Sequence, residues 1–206
     1  MTALLQILLD GPDRGAVLET ARQVGGLVDA LELGPSLLRV EGPALVTAVR
    51  EIMPDRPVAC WAGAEAEVEQ LLAVGVEGLT VPASVSDDAL QAIITQVREA
   101  GRRILLDLSG VSDITTQGER WGRLNPDLLK VPVEGNFQEI VGRLRELEIP
   151  LAFSGGWNVA QVPWLLLYRP VALIAGSVIT ATPEPRRIVE AIRARMEITP
   201  MMGRFY

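Results

Sequence analysis

The chain has 206 residues, of which 49% are apolar, 22% are charged and 4% are aromatic. This composition is typical of one globular domain with a sizeable core, and it excludes a disordered or collagen-like chain. The formal net charge of −7 argues against a non-specific nucleic-acid binder. No apolar run approaches the roughly 18 residues that span a bilayer, and the apolar start MTALLQILL lacks the basic flank of a signal peptide.

Three residue types limit the chemistry open to the chain. It has no histidine, one cysteine (Cys60) and one lysine (Lys130), and every other basic residue is arginine. The absence of histidine excludes histidine-based catalytic triads, histidine general bases and histidine-ligated zinc. A single cysteine excludes an internal disulfide and is typical of a reducing compartment, so we expect a cytoplasmic protein.

Short apolar runs alternate with amphipathic stretches from one end of the chain to the other. Such nearly continuous runs are typical of parallel strands that are buried on both faces. The eight predicted strands are 4–10, 29–34, 57–61, 78–82, 103–108, 128–133, 150–154 and 171–176.

The segments between the runs are predicted to be helices. Segment 86–101 has Ser86 as an N-terminal cap and Gly101 as a stop, while 135–147 and 183–196 carry apolar residues at helical spacing. Eight strand–helix units in about 200 residues predict a (β/α)8 barrel near its lower size limit. An open doubly wound sheet is the second possibility, although it normally uses fewer strands.

No linker, charge run or low-complexity stretch interrupts this alternation. We therefore expect one barrel domain over 1–196, followed by a tail over 197–206 that either docks on a partner subunit or is disordered.

Three acidic residues lie at the carboxyl ends of predicted strands, where such barrels place their chemistry. Asp10 ends the first strand, Glu32 ends the second and Asp107 lies near the end of the fifth. Together they could hold a metal, bind sugar hydroxyls or move protons, or they could be solvated loop acids. Their position inside apolar runs favours a role, because an unpaired buried charge is costly.

Two glycine turns end the seventh and eighth strands. Ser154, Gly155 and Gly156 follow one strand, and Gly176 and Ser177 follow the other. Glycines at these positions let backbone N–H groups approach an anion, and these two loops commonly bind phosphate in such barrels. We predict a phosphate site there.

An ordered set of segments resembles a known family. LQILLD, VDALELG, VSDDALQAIITQVREAGRRILLDLSGV, SGGW and IAGSVIT are similar to 3-hexulose-6-phosphate synthase and 3-keto-gulonate-6-phosphate decarboxylase. These enzymes belong to the orotidine-monophosphate decarboxylase superfamily of small barrels. The resemblance implies that Asp10 and Glu32 are acidic site residues, that Gly155, Gly156 and Gly176 hold phosphate, and that the protein is a homodimer.

The chain departs from that family at two strands. The family has D-x-K-x-x-D after strand three, whose acids and lysine bind magnesium and handle the enediolate. Here that segment, 59–65, reads ACWAGAE, and Pro132 stands where the family has its strand-six histidine. Glu32 is left as a tentative metal ligand, and we expect magnesium-dependent hexulose-phosphate synthase activity to be absent or very low.

Lys130 lies two residues before the position of the missing histidine. Strand alternation places it on the same side as Pro132, which by that match is the barrel interior. Burial would lower the lysine pKa, and a neutral amine is a Schiff-base nucleophile. Three alternatives stay open, namely a catalytic lysine, a structural pair with Asp107 or Glu32, and a lysine turned towards solvent.

The remaining reactive or bulky residues have a structural alternative each. Cys60 is favoured as a small buried hydrophobe, since no histidine is available to activate its thiol. Trp61 and Trp157 follow strands three and seven, and Trp121 is predicted in the loop before strand six. These rings either stack on a ligand or fill a site that has lost its chemistry.

Two functions are compatible with these features. The first is a carbon–carbon lyase, of the aldolase or decarboxylase kind, acting on a phosphorylated sugar with Lys130, Asp10, Glu32 and Asp107 as the reacting residues. The second is a catalytically inactive member of the superfamily that binds a phosphate ligand or serves as a scaffold.

Overall fold

A computed structural model describes residues 3–11 and 13–202, with the backbone alone over 198–202. The strands are the apolar runs of the sequence, because main-chain pairing and burial on both faces favour the same short segments. They are β1 (Leu4–Leu9), β2 (Ala30–Leu33), β3 (Val58–Trp61), β4 (Gly78–Pro82), β5 (Arg103–Asp107), β6 (Leu128–Pro132), β7 (Leu151–Ser154) and β8 (Ala172–Ala175).

Helices separate the strands and cover the outside of the sheet. They are α1 (Arg14–Val24), α2 (Pro35–Glu41), α3 (Ala44–Ile52), α4 (Glu65–Ala73), α5 (Asp87–Glu99), α6 (Ile114–Gly122), α7 (Phe137–Leu144), α8 (Val162–Leu167), α9 (Ser177–Thr180) and α10 (Pro185–Met202).

The strands form a closed parallel barrel in which each strand pairs with the next along the chain and β8 pairs with β1. The register Asp107↔Lys130 places an acidic and a basic residue side by side on β5 and β6. The register Leu8↔Glu32 places Glu32 of β2 beside Leu8 of β1. The predicted (β/α)8 barrel is confirmed, and the alternative of an open sheet is wrong.

Alternate strand residues form two different environments. Leu5 and Ile7 of β1 belong to the large apolar core between the sheet and the helices, and both are fully buried. The other set of residues faces the barrel axis, and there Ala152, Ala172 and Ile174 form a small separate apolar cluster. Small side chains and polar side chains share this narrow interior, so the polar ones are held away from water.

Local sequence signals account for several helix boundaries. The Ser86 side chain accepts a hydrogen bond from the Ala89 N–H at the start of α5, and Gly101 ends that segment with a φ of +65°. Trp121 lies in α6 and is 1% exposed, so its expected position in a loop is wrong.

The last helix is longer than the sequence pattern predicted. It runs to Met202 and so includes the first residues of the predicted tail, 197–206, whose residues 203–206 lie outside the described part of the chain. Among the described residues, no helix combines the length and the apolar character needed to cross a membrane.

Candidate active site

Buried polar side chains gather inside the barrel, between the middle and the carboxyl ends of its strands. They come from six different strands, and strand alternation places all of them on the face that lines the barrel. They are Gln6, Glu32, Thr80, Asp107, Lys130 and Ser154.

Lys130 stands at the centre of this group. Its Nζ lies 2.6 Å from Glu32 Oε1 and 2.8 Å from Asp107 Oδ2. The three side chains are 0%, 0% and 2% exposed, so both ion pairs lie out of contact with water. The outward-facing alternative for Lys130 is therefore wrong, and the paired geometry is present.

The second oxygen of each carboxylate also has a donor. Glu32 Oε2 accepts a hydrogen bond of 2.7 Å from Gln6 Nε2, and Asp107 Oδ1 accepts one of 2.8 Å from the Ser109 N–H. These contacts orient the two carboxylates, so that the other oxygen of each one faces the Lys130 ammonium. Lys130, Glu32 and Asp107 are called the charged triad below.

The expectation of a neutral Lys130 amine is wrong. Burial by itself lowers the pKa of Lys130, but the Glu32 and Asp107 carboxylates outweigh that effect, and the pKa lies above the ordinary lysine value. The side chain is therefore an ammonium at neutral pH. In this arrangement it acts as a positive charge and a proton donor rather than as a nucleophile.

Trp61 covers the charged triad from strand β3. Its ring centroid lies 4.9 Å from Lys130 Nζ, within the range of a cation–π contact. The ring also lines a cavity of about 300 Å³ among the loops that follow β2, β3 and β4. Trp157, the other tryptophan expected at the mouth, is 6% exposed and belongs to the apolar core.

Sequence reasoning missed Gln6 and Thr80. Each is a polar residue inside an apolar run, and this interruption on the interior side is the signal that could have identified them. The Thr80 and Ser154 hydroxyls are buried without a hydrogen-bond partner in the described part of the chain. Unpaired buried hydroxyls are costly, so these two groups are sites for a ligand or water to bind.

The two predicted phosphate turns have glycine backbone conformations and N–H groups without a protein acceptor. Gly155 and Gly156 have φ values of +58° and +67°, and a Cβ on Gly156 would lie 2.4 Å from the Val133 carbonyl oxygen. Within the described residues, the N–H groups of Gly155, Gly156, Gly176 and Ser177 donate to no protein acceptor. Four free donors thus lie on two neighbouring loops.

Asp10 is held at the start of α2 rather than in the charged triad. Its carboxylate accepts hydrogen bonds from the Leu37 N–H at 3.1 Å and from the Ser36 N–H at 3.4 Å. Gly34 makes this position possible, because a Cβ there would lie 2.4 Å from Asp10 Cβ.

A magnesium ion needs several well-placed oxygen ligands, and these residues do not provide them. Both Glu32 oxygens are taken, one by Lys130 and one by Gln6, and both Asp107 oxygens have donors as well. Asp10 binds backbone N–H groups of α2. Across residues 3–11 and 13–197, no three histidine, cysteine or acidic side chains are grouped to hold a metal. Glu32 therefore does not fit the tentative role of magnesium ligand.

Cys60 lies on the opposite face of β3 from Trp61 and is fully buried in the sheet–helix core. Burial, with a smaller contribution from the Glu32 charge, raises the pKa of its thiol above the ordinary value of 9.0. A protonated, buried thiol is a poor nucleophile, in agreement with its interpretation as a small hydrophobe.

Comparison with known proteins gives relatives along nearly the whole chain, although no family model matches it. The 3-hexulose-6-phosphate synthase of Mycobacterium gastri is 25% identical over 202 residues, which cover 92% of this chain and 98% of the relative. A KGPDC from Streptococcus mutans, solved with a sugar phosphate ligand, superposes with a TM-score of 0.82 at 19% identity, covering 95% of this chain and 97% of that one.

A more distant structure has the same barrel. The orotidine 5'-monophosphate decarboxylase of Methanocaldococcus jannaschii superposes with a TM-score of 0.75 at 18% identity, covering 94% of this chain and 98% of that one. The similarity to 3-hexulose-6-phosphate synthases and a 3-keto-L-gulonate-6-phosphate decarboxylase, inferred from short motifs, is confirmed by sequence relatives that cover 86–94% of the chain.

Proposed function

We propose that this protein is a carbon–carbon lyase that acts on a phosphorylated sugar. The observation that carries the proposal is the buried ammonium of Lys130 between Glu32 and Asp107, inside a barrel whose relatives are named as a synthase and decarboxylases of sugar phosphates. The comparisons do not favour the alternative of an inactive scaffold.

The charged triad suits the charge that forms when a carbon–carbon bond breaks beside a carbonyl group. The electron pair of the broken bond moves onto the carbonyl oxygen and gives an enolate-type oxyanion. An ammonium held in a water-free site stabilises such an oxyanion and can then return a proton to it. In this mechanism Glu32 and Asp107 orient the Lys130 ammonium and keep it charged.

The glycine turns supply the second half of the site. The free N–H groups of 155–156 and 176–177 bind the substrate phosphate, with Ser154 as an additional donor. Ser177, the first residue of α9, offers an N–H group and a hydroxyl but no guanidinium. We expect modest affinity for this reason.

A substrate reaches Lys130 only if Trp61 moves. Lys130 is 0% exposed beneath the Trp61 ring, and the neighbouring cavity of about 300 Å³ gives that ring space to turn into. Asp10, at the start of α2, stays a predicted proton carrier.

The test is an assay of the purified chain with 3-keto-hexose 6-phosphates and 3-keto-gulonate 6-phosphate, with aldehyde and carbon dioxide release measured separately. We expect turnover of at least one of them, and a loss of about 10²- to 10³-fold in Lys130→Met. Arg103→Met is the matched control, because Arg103 is exposed at the other end of β5.

Borohydride reduction during the assay separates the two lysine mechanisms. An ammonium that stabilises an oxyanion gives no covalent adduct, whereas a Schiff base gives a reduced adduct on the peptide that contains Lys130. If no substrate in the panel turns over, yet phosphate esters bind, the inactive scaffold replaces the lyase as the function.

A cytoplasmic homodimer is part of this proposal. The family resemblance implies the dimer, and a single buried cysteine is typical of a reducing compartment. Light scattering on the full chain tests the dimer, and a monomer at assay concentration would remove that part of the proposal.

A further inference from the structure

We infer that the Lys130 ammonium occupies the place of a divalent cation in this barrel, so that removing the lysine side chain converts the charged triad into a divalent-cation site. The inference deepens the proposed function and rests on it in one respect. It takes the positive charge of the lyase site to be that of Lys130 and not that of a metal ion.

The geometry of the two carboxylates supports this inference. Glu32 Oε1 from β2 and Asp107 Oδ2 from β5 both lie within 2.8 Å of one point, the position of Lys130 Nζ. Two carboxylate oxygens that converge on one point from different strands are the usual beginning of a magnesium or manganese site. In this chain that point is filled by an ammonium that arrives from β6.

Two further side chains that carry an oxygen atom, those of Thr80 and Gln6, line the barrel interior. Thr80 is 0% exposed, and its hydroxyl has no hydrogen-bond partner among the described residues. Gln6 holds the outer oxygen of Glu32 through its amide nitrogen. Once the four-carbon stem of Lys130 is gone, water can enter the space and complete the ligand set of an ion, as magnesium and manganese sites commonly require.

The charges agree with such an exchange. Two carboxylates and one ammonium carry a formal charge of −1, and the two carboxylates alone carry −2. Buried carboxylates that lose their partner bind a proton or a cation, because uncompensated charge in a low-dielectric interior is unfavourable. A divalent ion neutralises the pair completely, whereas in the native chain it would meet the Lys130 charge.

Manganese binding to purified variants tests the inference independently of any substrate. Lys130→Ala empties the cation position, and Lys130→Met fills it with an uncharged side chain of similar length. We expect Lys130→Ala to bind one Mn²⁺ per chain, seen by calorimetry and electron paramagnetic resonance, about tenfold or more tighter than the native chain or Lys130→Met. Its melting temperature should rise by about 5 °C in millimolar MnCl₂, but not in NaCl of equal ionic strength.

Glu32→Gln added to Lys130→Ala should abolish the binding, because it removes one of the two anionic ligands. If Lys130→Ala does not fold alone, it is refolded with Mn²⁺ or with matched NaCl. Recovery with Mn²⁺ only supports the inference, and failure in both overturns it.

Two other results would also overturn it. One is Mn²⁺ binding to the native chain as tight as to Lys130→Ala, and the other is equal binding by Lys130→Ala and Lys130→Met. A native chain without lyase activity leaves the binding result intact, so failure of the proposed function and failure of this inference are distinguishable.

Discussion

Aspartate and glutamate residues have different roles at the two ends of the barrel. At the amino ends of the strands, Asp29 accepts a hydrogen bond of 2.7 Å from the Leu5 N–H, and Glu77 accepts one of 2.7 Å from the Val58 N–H. Each acid directly precedes an even-numbered strand and binds the first residues of the strand before it. These carboxylates stay partly exposed and join neighbouring strands.

Towards the carboxyl ends, the acids are buried and bind a charge instead. Glu32 lies three residues after Asp29, and Lys130 lies three residues after Asp127, on the same two strands. Three residues along a strand cover about 10 Å, enough to move a side chain from the rim of the barrel into its interior. Because three is an odd number, strand alternation also turns the two side chains to opposite faces. Position along the strand and the face it presents, rather than residue type, therefore decide whether an acid joins strands or forms part of a site.

The largest difference between the two ends should appear when a cation is removed from each. Lys130→Met leaves Glu32 and Asp107 buried without a partner, and we expect the free energy of unfolding at pH 7 to fall by about 3–5 kcal/mol. Arg193→Met removes the partly exposed partner of Asp29, and we expect a loss of about 1 kcal/mol or less. Urea unfolding followed by circular dichroism measures both.

Equal losses in these two variants would show that the charged triad is not more strongly coupled than a surface pair.

Alkaline pH should lower the free energy of unfolding through the Cys60 thiol, which is buried in the sheet–helix core. The pKa of Cys60 is raised in the folded chain, so its stabilising contribution is complete below the ordinary thiol value of 9.0 and decreases above it. We expect a loss of about 2 kcal/mol between pH 9 and 10.5. The raised pKa of Lys130 adds a further loss only above the ordinary lysine value of 10.5.

Urea unfolding at several alkaline pH values measures this decrease. Cys60→Ala should remove the part between pH 9 and 10.5, although the absolute stability of that variant is lower because a buried side chain is shortened. A pH dependence that is the same in both proteins would contradict the assignment to the thiol.

Much of the barrel could be predicted from sequence because its strands are short apolar runs with clear ends. The predicted run 78–82 is β4 itself, and the run 103–108 differs from β5 by one residue. Alternation placed Lys130 on the same side as Pro132, and the family resemblance identified that side as the interior, with the outward alternative left open. The choice among its three alternatives needed the distances from Lys130 to Glu32 and Asp107, which depend on how strands far apart in sequence close the barrel.

Other parts of the site could not be predicted for equally physical reasons. The sign of the Lys130 pKa shift depends on two carboxylates that a local pattern does not bring together, and burial alone suggested the opposite direction. Gln6 and Thr80 are single polar residues within apolar runs, a weak signal without the strand register. The contact of Asp10 with α2 depends on the missing Cβ of Gly34, which only the folded chain shows.

A smaller effect should follow from the acids of the amino end. Asp127 Oδ2 accepts a hydrogen bond of 2.8 Å from the Ile104 N–H, and Asp127→Ala leaves that donor without its charged partner. We expect a loss of about 1.5 kcal/mol, with Asp127→Asn losing less because its amide oxygen still accepts the bond. Unfolding in urea gives both values, and lyase turnover should stay at the native level.

Asp10 combines features of both ends of the barrel. It follows the carboxyl end of β1, yet its carboxylate binds backbone N–H groups, as the acids of the amino ends do. Asp10→Asn keeps one oxygen, which still accepts the hydrogen bond from the Leu37 N–H, but it loses the acceptor of the longer Ser36 bond. We expect its stability to fall by about 0.5 kcal/mol or less. Asp10→Ala removes that oxygen and should lose about 1 kcal/mol, as helix N-terminal capping residues commonly do. Turnover by Asp10→Asn then tests the proton-carrier role, because this variant is stable but cannot titrate. A fall of about 10²-fold or more identifies Asp10 as a general acid or base, whereas turnover within about threefold of the native rate limits Asp10 to holding α2 against the barrel.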